Sequence, residues 1–295
     1  MPVAELERSD AVPVISLQQF CGESSFHFLD LNGGRHPGRE LFLRPHRKNY
    51  YMIALLESGE SRHWVDGKAY SGRPGCIYIG NPQQVHVKEE RGTLTGPMVC
   101  FTPDALPTAD WAEFSVLRNP ANLHELFLPE AEFEWILQSM KTIRSEAQAH
   151  DRWRRSGIAG GLQLLLSQVS RIYDENSVGS LRGKQPSSLV RRFQDLVSLH
   201  YAEWATVRQY SRHLGVTPGH LSDRIRKDLG RSPLALIQER RILEAQRLLV
   251  YTDSSIRAIA RQLHFAEEGH FSRTFRRLVD SSPSDYRKVN RRIDQ

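Results

Sequence analysis

A fourteen-residue segment occurs twice in the last third of this chain, and nothing else in the sequence restricts the possible folds as tightly. HLSDRIRKDLGRSP at 220–233 aligns without gaps on HFSRTFRRLVDSSP at 270–283. His220/His270, Ser222/Ser272, Arg226/Arg276, Ser232/Ser282 and Pro233/Pro283 are identical, while Leu221/Phe271 and Ile225/Phe275 are apolar in both copies. A repeat at one fixed offset marks two copies of a small structural unit. The apolar pair in each copy is spaced by one helical turn, so each copy is expected to be a helix with that pair turned toward a core.

A shorter helical segment precedes each copy, VRQYSRHLGV before the first and SIRAIARQLHF before the second. In the first, Ser211 is small, Leu214 and Val216 are apolar, and Gly215 supplies the left-handed backbone that ends a helix sharply. Thr217 and Pro218 then read as an N-cap and a first helical position, so a second helix starts at once. In the second, Ala260, Leu263 and Phe265 take the matching places, and His264 stands where glycine would be easiest. A helix, a tight turn and a helix form the unit that braces one helix across the DNA major groove. Two helix-turn-helix units are expected, at about 207–228 and 255–278.

The polar faces of the two groove helices carry Gly219, Ser222, Asp223 and Arg226 in the first unit and Gly269, His270, Arg273 and Arg277 in the second. Arginine pairs with guanine through two hydrogen bonds, serine and histidine are weaker readers, and glycine permits close approach. Arg273 is the foremost candidate for a base contact, with a phosphate contact or a solvated charge as the alternative. Asp223 is unfavourable beside phosphate; it accepts from cytosine or orients Arg226. Between the units, LALIQERRILEAQRLLVYT reads as one amphipathic helix that fixes their separation. Two short blocks of DNA sequence about ten base pairs apart follow from one face of B-DNA.

Charge supports a polyanionic partner for this end alone. Residues 1–175 hold 18 basic against 22 acidic residues, 189–295 hold 20 against 12, and 176–188 add two bases. The earlier half is written differently. From about residue 12 to 103, short β-type runs stop at Ser58-Gly59, Asp66-Gly67, Pro74-Gly75 and Asn81-Pro82, as in an antiparallel sandwich or barrel. From Asn122, in LHELFL, FEWILQSMKTIRSEAQ and IAGGLQLLLSQVSRIY, the spacing turns helical. Leu162, Leu165, Leu166, Val169 and Ile172 share one face, which is either core or a homodimer seam. NSVGSLRGKQPSS at 176–188 is a flexible linker by composition. The expected domains are thus 1–175, a linker at 176–188, and 189–295.

The stretch from about 189 to 288 resembles the AraC/XylS DNA-binding domain. Arg241, Ala245, Leu248 and Leu249, then Ile259 and Ala260, HFSRTFRR at 270–277 and SPSDYR at 282–287 carry the resemblance. It implies seven helices with two helix-turn-helix units contacting double-stranded DNA. Three departures stand out: Ser211 for alanine, and His264 and Asp280 for glycines. More loosely, LRPHRKNYYMIALLESGES and GKAYSGRPGCIYIGNPQQVH resemble the cupin-like sensing domain of the same family. The implied whole is an α+β multidomain protein: a cupin-like β-barrel with a helical dimerisation region, then an all-α reader. A small-molecule effector, a homodimer and RNA polymerase are the implied partners beside DNA.

Alternating strand residues at the barrel mouth, Arg44, His46, Tyr51, Trp64, Tyr78 and His86, are the candidate effector contacts, and Arg44 and His46 suit an anionic or polar ligand. A metal-dependent cupin enzyme is the first alternative. Its HxH ligand pair is missing, because Lys48 follows His46 two places on, and no catalytic residues or cofactor are expected. An effector-independent dimeric DNA-binding protein is the second. Cys21, Cys76 and Cys100 are few and odd in number, no apolar run is long enough for a membrane span, and the opening MPVAELERSD is too polar for a signal peptide, so a cytoplasmic protein is expected.

Overall fold

The computed structural model describes residues 11–23, 25–32, 42–82, 84–92, 94–106, 114–118, 123–176 and 186–292. They divide into two compact units, one from Pro13 to Asn176 and one from Pro186 to Arg292. Most of the expected linker, 177–185, lies outside the described residues.

The first unit is built on strands β1 (Val14–Ile15), β2 (Phe26–Asn32), β3 (Arg47–Lys48), β4 (Tyr51–Leu55), β5 (Ser61–Val65), β6 (Lys68–Gly72), β7 (Cys76–Gly80), β8 (His86–Gly92), β9 (Thr95–Phe101) and β10 (Glu125–Phe127). Five form one antiparallel sheet in the order β10-β7-β4-β9-β2, three form a second in the order β6-β5-β8, and β1 pairs with β3 in parallel. Among the described residues no sheet closes on itself, so the expected barrel is replaced by open sheets, joined by an isolated bridge between His46 and His86.

Alternation along the five-stranded sheet assigns its two faces, since successive side chains point to opposite sides. Ile53, Leu55, Ile77, Ile79, Val99 and Phe101 pack with helices α3 (Glu130–Gln148) and α4 (Arg154–Asn176), whereas Ala54, Tyr78, Met98 and Cys100 belong to a separate cluster with Leu17 of α1 (Leu17–Cys21) and Tyr50. The α4 stripe of Leu162, Leu165, Leu166, Val169 and Ile172 is almost wholly buried within this chain's own core. Its apolar surface is therefore spent on the sheet and is not a seam for a second copy. A second correction concerns LHELFL: Glu125–Phe127 is an edge strand on β7, and a short apolar run of this kind fits helix and strand periodicity equally well.

The second unit is all helical: α5 (Ser188–His200), α6 (Val207–His213), α7 (Pro218–Leu229), α8 (Pro233–Tyr251), α9 (Ile256–Gln262), α10 (Glu268–Val279) and α11 (Pro283–Arg292), after the short α2 (Ser115–Arg118) of the first unit. Seven helices match the number the resemblance implies. They enclose two small cores. Val190, Phe193, Val197, Tyr210, Leu214, Leu221, Ile225 and Ile237 form one; Ile242, Ala245, Leu248, Leu249, Ile259, Leu263, Phe265, Phe271 and Phe275 dominate the other. Helix α8 enters both, Ile237 in the first and its residues from Ile242 onward in the second.

Arg241, at the crossing between them, is 5% exposed. Its Nε donates to the Tyr201 carbonyl at 2.9 Å, Nη2 to that of Trp204 at 3.1 Å and Nη1 to that of His264 at 3.4 Å. One buried guanidinium thereby ties α8 to the chain leading into α6 and to the turn after α9.

The two turns have the same hydrogen bonds. Val216 N–H donates to the Ser211 carbonyl at 3.0 Å and Phe265 N–H to that of Ala260 at 2.9 Å. Gly215 sits at φ +70° and His264 at +54°, both left-handed. Past the groove helices, Gly230 at φ +67° and Asp280 at +56° repeat the pairing of a glycine with a side chain that pays for the same conformation. His264→Gly is expected to raise the urea midpoint of the helical unit by about 1 kcal/mol equivalent, because only the left-handed penalty is removed; an unchanged or lower midpoint would show that the imidazole makes compensating contacts.

Candidate nucleic-acid interface and ligand cavity

The groove helices stop alike, on a left-handed residue, but start differently. Thr217 caps α7, accepting from His220 N–H at 3.2 Å with Pro218 next, and its far end closes on Gly230. Glu267 precedes α10 without a side-chain cap, and Asp280 closes it. With Leu221, Ile225, Phe271 and Phe275 fully buried, the opposite arcs are left to solvent.

Gly219, Asp223 and Arg226 are exposed, and Ser222 is half-buried with its hydroxyl donating to the Pro218 carbonyl at 2.7 Å. Ser222 keeps only acceptor capacity for a base. Asp223 Oδ1 lies 4.0 Å from Arg226 Nη1, so these two charges hold each other. In the second unit Gly269, His270, Arg273 and Arg277 are all exposed. A Cβ on Gly269 would come within 3.4 Å of Arg273 Nη1, which places that guanidinium over the first turn of α10. Arg277 Nη2 donates to Gln238 of α8 at 3.0 Å.

Two exposed cations escaped the sequence reading, Lys227 and Arg276. The repeat itself carried the signal: the offset pairs Asp223 with Arg273, Arg226 with Arg276 and Lys227 with Arg277. Helix α10 holds three basic residues and one acidic, α7 three and two, so the second arc is the more cationic.

The first unit contains a cavity of about 140 Å³ between the two sheets. His46, Lys48, Tyr50, Met52, Ala54 and Leu56 all line it, an unbroken alternation through β3 and β4. Of the expected effector contacts, His46, Tyr78 and His86 are in the lining. Arg44, Tyr51 and Trp64 are not: Arg44 is exposed, Tyr51 stacks on Phe101 at 5.6 Å on the helix side, and Trp64 stands 5.1 Å from the Arg62 guanidinium. Tyr51 fails on parity, since one step along a strand moves a side chain to the other face.

Three imidazoles line the cavity, His46 and His86 buried and His63 partly so. His46 Nδ1 donates to the Arg44 carbonyl at 2.8 Å, because a carbonyl only accepts, and this leaves Nε2 as a lone-pair acceptor. Nε2 of His46, His63 and His86 are buried without a hydrogen-bond partner. Burial first, and then the nearby Lys48 charge, push His46 and His63 down to about 3 and His86 well below its ordinary value. Burial likewise pulls the Lys48 amine down to about 7. Tyr78 is pushed up by burial, with its hydroxyl 3.3 Å from His86 Nδ1. Among the described residues no group of three or more His, Cys, Asp or Glu side chains is placed to hold a metal ion. No described helix is long and apolar enough to cross a membrane.

Tandem helix-turn-helix units with solvent-facing groove helices on one shared helix, in a chain that also holds a cavity-bearing β unit, define a DNA-binding transcription regulator of two domains. Residues 210–289 match the model of a helix-turn-helix domain and residues 34–165 that of the AraC-like ligand binding domain. The chain belongs to the AraC family of transcriptional regulators. It is 24% identical over 253 residues to the uncharacterized HTH-type transcriptional regulator YfiF of Bacillus subtilis, covering 83% of this chain and 78% of that one. It is 25% identical over 249 residues to the arabinose operon regulatory protein of Salmonella typhimurium, covering 83% and 85%. Among solved structures, the C-terminal domain of AraT, a response regulator from Geobacillus stearothermophilus, shares 29% identity over 36% of this chain and 88% of that one, with a TM-score of 0.34.

The depressed imidazoles set a pH dependence. A histidine charged below about 6.5 when unfolded but only near 3 when folded contributes stability that is full above pH 6.5 and lost as pH falls toward 3. A His46→Asn/His63→Asn double variant should therefore lose less of its unfolding midpoint than the parent between pH 6.5 and 4; parallel curves would mean the imidazoles already titrate in the folded protein.

Proposed function

We propose that the protein is an effector-responsive regulator that lodges α7 and α10 in two successive major-groove segments of one operator. The observation that carries this reading is the equivalence of the two units: the same turn hydrogen bonds, a left-handed residue at the same turn position, and a buried apolar pair at the same spacing behind an open polar arc. Helix α8, at 19 residues and about 1.5 Å per residue, is a rigid spacer of roughly 28 Å, suited to grooves one turn apart.

In the second unit Arg273 is the base reader, with Gly269 allowing close approach and His270, Arg276 and Arg277 on flanking bases and phosphates. In the first, Arg226 and Lys227 hold phosphate, Gly219 and Ser222 approach the groove floor, and Asp223 steadies Arg226. The cavity of the β unit receives a small effector whose binding alters DNA affinity or promoter activation. Residues 176–188 act as the connector between the sensor, 1–175, and the reader, 189–295. The apolar stripe of α4 being internal, a homodimer would use the other side of the α3–α4 pair, where Trp135 is 42% and Leu164 52% exposed. RNA polymerase is the further partner in the activating case, and the cytoplasm is where such a protein meets its promoter.

Footprinting with an operator selected from random DNA should show two protected, sequence-bearing blocks about ten base pairs apart. Arg273→Ala should cost about 1–3 kcal/mol at one base position in the second block and relax preference there, whereas Lys227→Ala should weaken all sequences equally and lower the salt dependence. Uniform loss with Arg273→Ala would make it a phosphate contact. A protein that binds heparin as well as any duplex would overturn the reading.

A further inference from the structure

The alternation from His46 to Leu56 places Lys48 in a chamber whose lining also holds Lys88 and Asp30 among apolar and neutral groups. Lys48 is 6% exposed and lines the cavity, and its ammonium has no hydrogen-bond or ion-pair partner among the described residues. Its neighbours include the Phe42 ring at 5.9 Å, the Cys100 thiol, Lys88 and the imidazoles of His46, His63 and His86. None of these is an anion at neutral pH. The one carboxylate in the lining, Asp30, is ion-paired with Arg144. A buried ammonium without a counter-charge is costly, and proteins keep such a group where it meets a ligand.

The remaining wall sets the shape of that ligand. Phe20, Leu29, Leu31, Met52, Leu94 and Met98 supply an apolar surface. A cavity of about 140 Å³ is close to the roughly 150 Å³ of an engineered apolar cavity that admits benzene, so the occupant has a body of about six carbon atoms. Tyr50, 1% exposed and on the same strand face two residues beyond Lys48, offers a hydroxyl with no partner among the described residues. The lone pair at His46 Nε2 leaves a place for a hydrogen-bond donor elsewhere on the ligand.

We infer that the effector is a compact apolar monocarboxylate whose carboxylate pairs with Lys48 while its hydrocarbon part fills the space between the sheets. This rests on the reading of the β unit as an effector domain. The ligand supplies the missing counter-charge, and the bound state is the one in which Lys48 is satisfied. Because a carboxylate holds the proton on an amine that otherwise loses it near neutrality, affinity falls as pH rises above 7.

Titration calorimetry and thermal shift on the full chain test this with cyclohexanecarboxylate and hexanoate, each against its neutral amide. The ring and chain acids distinguish a compact from an extended body. At least one acid should bind ten-fold or more tighter than its amide, and more weakly at pH 9 than at pH 6. Lys48→Met and Lys48→Gln should erase that preference while raising the melting temperature of the free protein, since a structural lysine would do the reverse. Equal binding of acid and amide, an unchanged preference in both variants, or variants that melt lower or fail to fold would overturn the inference. The effector reading is tested separately by filling the cavity with Ala54→Leu or Ala54→Phe. A neutral compound that shifts the melting temperature and is blocked by those variants refutes the carboxylate and leaves the effector domain standing; regulated transcription unaffected by a folded, cavity-filled variant refutes both.

Discussion

The two cores of the helical unit meet at the buried guanidinium of Arg241. These cores are each too small to hold a fold alone, a familiar limit for units of some forty residues, and α8 is the only described element that runs through both. Arg241 satisfies three backbone carbonyls at the point where those cores meet, on both sides of α8. Replacing it with an apolar residue leaves three acceptors facing a low-dielectric interior, which is why a charged side chain is retained in the core. Within the protein this hydrogen-bonding fork joins the segments on both sides of α8, between the two helix-turn-helix units. Arg287 and Arg291 of α11 repeat the device at the end of α8, where both guanidinium Nε atoms donate to the Leu249 carbonyl.

Much of the helical unit was legible because its chemistry is local. The repeat predicted two equivalent helices, Gly215 and Thr217–Pro218 predicted the turn, and the two non-glycine residues at turn positions, His264 and Asp280, do adopt the left-handed conformation that glycine would take. Arg241 was visible only as a motif residue. Its partners lie 23 to 40 positions away, and no periodicity encodes them.

The β unit was less legible, for three physical reasons. Closure is a property of the sheet edges and cannot be read from strand-length runs, so open sheets resemble a barrel in sequence. The α4 stripe is consistent with either an internal or an external partner until the sheet it covers is known. The cavity list mixed two parities: His46 and Tyr51 cannot share a strand face. Counting by twos from His46 would have selected Lys48, Tyr50, Met52, Ala54 and Leu56, and Lys48 had been noticed only for not being a histidine.

That substitution changes what the chamber can recognise. An imidazole at position 48 would add a neutral donor or acceptor to a set of three imidazoles, and a metal or a polyol could be held by such a set. Lysine instead introduces a charge that the surrounding burial disfavours, in a place where the carboxylate of the lining, Asp30, is taken by Arg144 and the partly buried Glu125 lies beside His63, with no described ion pair to Lys48. The cost falls on the free state, so a ligand that cancels it gains binding free energy, and the filled domain is more stable than the empty one by an amount set by ligand affinity and concentration. A sensor needs that difference, since a ligand shifts an equilibrium only by its differential affinity for the two states. The residue that makes the free β unit less stable is the one that gives occupancy its leverage.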